Sequence, residues 1–121
     1  MSNRIIYITD QQSAFALLNG STEQELEWFV TTVSKLEHAL AQITLDIFVL
    51  ELSSPTLENV HSELRVSETT KHIPRLVITD PGASDDYLPR LVNTELDDYI
   101  TKPFTFARLG MVIANLIDRT R

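Results

Sequence analysis

The chain has 121 residues, 43% of them apolar, which is enough for one packed core and so for a single expected domain over 1–121. Seventeen acidic against ten basic side chains leave a formal charge of −7, which repels nucleic-acid phosphates and anionic membranes, so neither is an expected partner. Cysteine is absent, which excludes a disulfide framework, a thiolate metal site and a thiol nucleophile, and suits a reducing, cytoplasmic setting.

In chain order, Met1-Ser2-Asn3-Arg4 leads into Ile5 to Ile8, an apolar run too short for a signal peptide or a membrane span and read as a first strand. It ends in Thr9-Asp10. A helix is expected from Ser13, but Asn19-Gly20-Ser21-Thr22 interrupts it and Thr22 with Glu25 offers a new capping box, so this helix is expected to be broken or short. Trp28 to Val33 is the second strand. Ser34 with Glu37 makes a capping box ahead of Leu36, Ala39, Leu40 and Ile43, whose spacing predicts a second helix.

Asp46-Ile47-Phe48-Val49-Leu50-Glu51-Leu52 is apolar on both alternating faces until Glu51, the pattern of a central strand covered on both sides. Pro55 suits the first turn of a third helix carrying Leu57, Val60 and Leu64. Leu76 to Ile78 is the fourth strand. Pro81-Gly82 marks a turn and Pro89 restricts the fourth helix to a short piece beginning near Leu88. Tyr99-Ile100 is the fifth strand, and Thr105 caps a last helix whose stripe is Phe106, Leu109, Val112, Ile113, Leu116 and Ile117.

Five strands alternating with helices argue for an α/β fold with a parallel sheet. Such sheets bind ligands beyond the carboxyl ends of their strands, where this chain presents Asp10, Glu51, Thr79 and Lys102. His38, His61 and His72 lie in separate segments without metal-ligand spacing, so they are expected on the surface or on helix faces, and no zinc is implied. With three glycines in all, no Gly-rich phosphate loop or nucleophile elbow is present.

Those four strand-end positions make the chain resemble the receiver domains of two-component response regulators along almost its whole length. The resemblance implies a flavodoxin-like (βα)5 fold with a five-stranded parallel sheet of order 2-1-3-4-5 and helices on both faces. In that family the first strand ends in two acids that hold Mg²⁺; here Thr9 replaces the first and Asp10 matches the second. Asp46 to Pro55 matches the family's third strand except that Glu51 stands at the phosphoacceptor aspartate, and Asp46 is the strand-opening acid. Ile73-Pro74-Arg75-Leu76-Val77-Ile78-Thr79 matches the fourth strand with Thr79 as switch hydroxyl, although Asp80 follows where a small residue is usual. Asp98-Tyr99-Ile100-Thr101-Lys102-Pro103-Phe104 matches the signature around the lysine and the switch aromatic, which become Lys102 and Tyr99; Glu95 stands where a glycine is usual.

Glutamate at 51 carries its carboxylate one methylene into the volume of a phosphoryl group, and threonine at 9 removes an oxygen ligand for a hard cation. The resemblance therefore implies an atypical receiver, a pseudo-receiver without enzymatic activity or normal aspartyl phosphorylation. No cofactor is implied beyond a weak Mg²⁺ site at Asp10 and Glu51, and Lys102 is expected to pair with Glu51. The implied partner is a protein bound through the fourth helix, fifth strand and fifth helix, a second copy of the chain being one such partner. The domain is also expected to come from a longer, multidomain protein. Two alternatives stay open: an Mg²⁺-dependent receiver phosphorylated on another side chain, and a flavodoxin-like small-ligand binder.

Overall fold

The structure, a computed structural model, describes residues 3–9, 26–42, 44–53, 55–81, 92 and 94–120. Its strands are β1 (Asn3–Thr9), β2 (Leu26–Thr31), β3 (Ile47–Glu51), β4 (Arg75–Thr79) and β5 (Asp97–Thr101), and its helices are α1 (Leu36–Gln42), α2 (Thr56–Val66) and α3 (Phe106–Thr120). These helices are the expected second, third and fifth. The broken helix from Ser13, the short one near Leu88 and Asp10 fall outside the described residues. The strands form one parallel sheet in the order β2-β1-β3-β4-β5, the flavodoxin-like arrangement that the resemblance implies.

Alternation of side chains along the strands builds two cores. Ile5, Tyr7, Ile47, Val49, Leu76 and Ile78 face α3, meeting Leu109, Ile113 and Leu116. Ile6, Ile8, Phe48, Leu50 and Val77 face α1 and α2, meeting Leu36, Leu57, Val60 and Leu64. The three inner strands are thus covered on both sides, as near-continuous apolar runs require. Among the described residues no helix is long and apolar enough to cross a membrane.

Helix starts follow the sequence in one case and depart from it in two. Thr105 Oγ1 accepts the N–H of Arg108 at 3.1 Å and caps α3. The capping box at Ser34 does not form. Val33–Lys35 is a 3₁₀ turn, so Ser34 lies inside it, and its hydroxyl sits 3.1 Å from that of Thr32. Pro55 immediately precedes α2 rather than lying in its first turn, and its carbonyl takes the Asn59 N–H at 3.2 Å.

At the amino end of the sheet lies a buried polar network that the sequence reading did not foresee. Arg75 and Asp97 open β4 and β5 as register partners. Arg75 Nε donates to Asp97 Oδ1 at 2.8 Å and Nη2 donates to Oδ2 at 3.2 Å, a two-pronged pair. His61 Nε2 is 2.9 Å from Oδ1, and Thr94 Oγ1 donates to Oδ2 at 2.6 Å. His61, Arg75 and Asp97 are each at most 3% exposed, so His61, expected on a surface or helix face, stands on the buried face of α2. The pattern explains this placement: His61 follows Leu57 by four residues and precedes Leu64 by three, which puts it in the apolar stripe.

Burial alone would push the Asp97 carboxyl up. The hydrogen bonds from His61, Arg75 and Thr94, with the guanidinium charge, prevail and hold it well below its ordinary value of 3.8. A carboxyl depressed on folding stabilises the fold fully above its unfolded value and loses that contribution as pH falls below it. Wild-type stability in urea should therefore decline from about pH 4 downward, and Asp97→Asn should flatten that decline. At pH 7 Asp97→Asn should lose about 3–5 kcal/mol, because Arg75 would remain buried without its counter-charge.

Candidate functional site

The carboxyl ends of β1 and β3 bring Thr9 and Glu51 together as register partners. Tyr7 and Thr9 share one face of β1, the face that Glu51 shares on β3. Thr9 Oγ1 donates to Glu51 Oε1 at 3.1 Å, and Lys102 Nζ lies 3.1 Å from Oε2. The Tyr7 hydroxyl faces the same carboxylate. The Glu51 side chain is only 12% exposed, so its charge is met by Thr9 and Tyr7 of β1 and by Lys102 from the segment after β5. The Tyr7 phenol is pushed far up, first by burial, then by the Glu51 charge and by its hydrogen bond to that carboxylate.

Lys102 follows β5 directly. Its backbone N–H donates to Thr79 O at 2.9 Å, and its peptide bond to Pro103 is cis. Asp80 Oδ1 approaches the same ammonium at 3.6 Å from an 80% exposed side chain, a contact worth little in open solvent. Thr79 is buried, with its hydroxyl engaged by β5: it lies 3.4 Å from Ile100 O and 3.1 Å from Thr101 Oγ1. Tyr99 is 47% exposed. It borders a surface hollow of about 410 Å³ together with Pro103, Phe104 and Arg108.

Of the residues singled out in the sequence, Thr9, Glu51 and Lys102 therefore meet side chain to side chain. Thr79 joins them through the Lys102 backbone, Tyr99 stands on the outer edge, and Asp10 lies outside the described residues. Asp46 binds the Arg4 N–H at 2.7 Å at the opposite end of β3. Tyr7 was missed. Its signal was the period of two along β1, which places it beneath Thr9 on the Glu51 side.

A hard dication takes several oxygen ligands. The described residues here supply one carboxylate already facing an ammonium and two hydroxyls that point their protons at it. Among them no group of three or more His, Asp or Glu side chains could hold a metal. The described residues alone thus do not complete a ligand set for Mg²⁺, and Asp10, the other acid expected at this site, lies outside them.

No family model matches the chain. It is 25% identical to the transcriptional regulatory protein TrcR of Mycobacterium tuberculosis over 122 residues, covering 97% of this chain and 46% of that protein. The chain thus spans about half the length of the curated relative it matches. Among solved structures, a sensor protein from Polaromonas sp. JS666 superposes with a TM-score of 0.78 at 17% identity, covering 98% of both chains. A receiver domain of a sensor histidine kinase from Pseudomonas aeruginosa, solved with a magnesium ion in its active-site cleft, gives 0.69 at 20% identity, also over 98% of both. The fold is that of a receiver domain. At these identities the solved receivers speak to fold, so site chemistry rests on the side chains of this chain.

Within this receiver fold the Glu51 cluster gives two measurable expectations. Tyr7→Phe and Thr9→Val each remove one donor from a mostly buried carboxylate and should lower stability by about 1–3 kcal/mol in urea unfolding, with coupling to Glu51→Gln in double-mutant cycles. The alkaline absorbance titration of Tyr7→Phe should overlay that of wild type until the protein unfolds, because the Tyr7 phenol stays protonated in the folded state.

Proposed function

We propose that the chain is an atypical response-regulator receiver domain that acts in phosphorelay-type signalling by contacting a protein partner, without aspartyl phosphorylation and without enzymatic activity. The observation that supports this reading is the state of Glu51. Its carboxylate stands at the strand end where the receiver pattern puts the phosphoacceptor, and Thr9, Tyr7 and Lys102 already occupy it. A nucleophile must bring a free lone pair in line with phosphorus, and this one has its oxygens committed to donors.

In the same reading, Lys102 is held permanently by an internal charge of about −1, against about −1.5 to −2 for a phosphoryl group. The imitation reaches the lysine but not the hydroxyl, since Thr79 bonds to β5. Tyr99, half exposed on β5, and α3 beside it offer the partner a surface that combines an aromatic ring with polar rim groups. The likeness to a transcriptional regulatory protein supports a regulatory output carried by another part of a longer chain.

The test is incubation with a small-molecule phosphodonor and Mg²⁺ followed by intact-mass measurement. Wild type should gain no phosphoryl mass, and an adduct on any side chain of this cluster would overturn the reading. Thr9→Asp with Glu51→Asp should become phosphorylatable, because it restores an acid for the metal and draws the nucleophile back by one methylene while Lys102 and Thr79 stay in place. Either single substitution should do less than the pair.

A further inference from the structure

On the opposite flank from α3, α1 and the carboxyl end of α2 border a groove of about 780 Å³. Its apolar wall comes from Leu36, Leu40, Leu45, Leu64, Val66 and Ile73. Val66 is 74% exposed, the most exposed of the large hydrophobic side chains described. An aliphatic side chain standing that far into water gains nothing from the fold itself, and a contiguous apolar hollow of this kind is a mark of an interaction site. None of its residues belongs to the Glu51 cluster or to the Tyr99 surface.

Charge around the groove is of one sign. Glu37 and Glu63 line it, both are exposed, and neither forms an ion pair among the described residues. No lysine or arginine lines it. Nearby, Lys71 is closed off by Glu68 at 3.0 Å. α2 also points its carboxyl end here, so its last carbonyls add partial negative charge.

The polar groups at the floor do not suit a small polar ligand. Thr70 is buried, but its hydroxyl is spent on Leu64 O at 2.9 Å, and the Ser67 and Thr69 hydroxyls pair with each other at 3.1 Å. Apolar walls with free carboxylates at the rim instead match the face of an amphipathic helix, which lays aliphatic side chains into a groove and sets its flanking charges against the rim. We infer that this groove docks a helix of a protein partner that carries aliphatic residues on one face and lysine or arginine beside them. Two rim carboxylates and the carboxyl end of α2 select the basic sign, and Val66 becomes buried on docking.

The probe is a synthetic helical peptide of about 18 residues with leucines at i, i+3, i+4 and i+7 flanked by lysines, long enough to hold helix in water. Its control replaces every lysine with glutamate. Titrated into the isotopically labelled chain, the basic peptide should shift amide resonances within 36–45 and 63–73, and the acidic peptide should bind at least about tenfold more weakly. Glu37→Lys with Glu63→Lys should weaken the basic peptide by about five- to tenfold, and Val66→Asp should weaken it comparably. All three positions are exposed, so the variants should keep wild-type circular dichroism. The inference is overturned by shifts centred on β5 and α3, by equal binding of the two peptides, by absence of binding, or by self-association of the chain through this groove. These outcomes do not bear on the Glu51 reading, which concerns other residues.

Discussion

A parallel strand covered by helices on both faces has no solvent along its length, so any charge it carries must lie at an end and be matched there. β3 and β4 obey this constraint, and it organises the molecule. Between their ends every side chain of β3 is buried and apolar, and the strand reaches a charge only at Glu51. β4 begins with Arg75 and ends with Thr79, with three aliphatic residues between. The sheet therefore has two polar poles separated by a dry middle, and each pole is built from complementary groups brought together by strand register.

The poles solve the same problem differently. At the amino pole, Asp97 and Arg75 meet in a two-pronged geometry, and His61 and Thr94 take up remaining capacity, so the carboxylate is fully satisfied inside the protein. Such a network contributes specificity of strand pairing more than net stability, since both ions must be desolvated to form it. At the carboxyl pole, Glu51 is held by one cation and two hydroxyls and keeps slight contact with solvent. The first pole is a closed structural joint. The second is near the surface and linked through Lys102 to the segment that follows β5.

The strands were legible in the sequence because apolar runs ending in single polar residues carry a strong signal, and Glu51 announced itself as the first charge in such a run; their order came only with the resemblance to receiver domains. α3 was legible for the same reason, through its broad stripe and Thr105. Starts of the shorter helices were less so: Ser34 and Glu37 have the spacing of a capping box, yet a 3₁₀ turn moves the helix start beyond Ser34. The Arg75–Asp97–His61 network was missed because its members lie 14 to 36 residues apart and meet only through strand register and helix packing. His61 could have been placed from its position in the α2 stripe. Tyr7 was read only as part of the first strand; it is a core residue whose hydroxyl reaches out of that core toward Glu51.

The two departures from the receiver pattern at this site, Thr9 and Glu51, are best understood as one physical change. They are register partners on adjacent strands, so any alteration of one alters the field of the other. An acid at position 9 would set a second carboxylate against the Glu51 charge in a poorly solvated pocket, where like charges interact more strongly than in water and one of them would be driven to take a proton. Threonine turns that repulsion into a donated hydrogen bond, and the longer glutamate arm is then free to settle toward Lys102 instead of toward a metal. The Lys102 ammonium, 3.1 Å from Oε2, supplies positive charge at that carboxylate. Among the described residues the Glu51 charge is thus met by Lys102 and by the Thr9 hydroxyl, and a change at either register partner alters the balance that the other maintains.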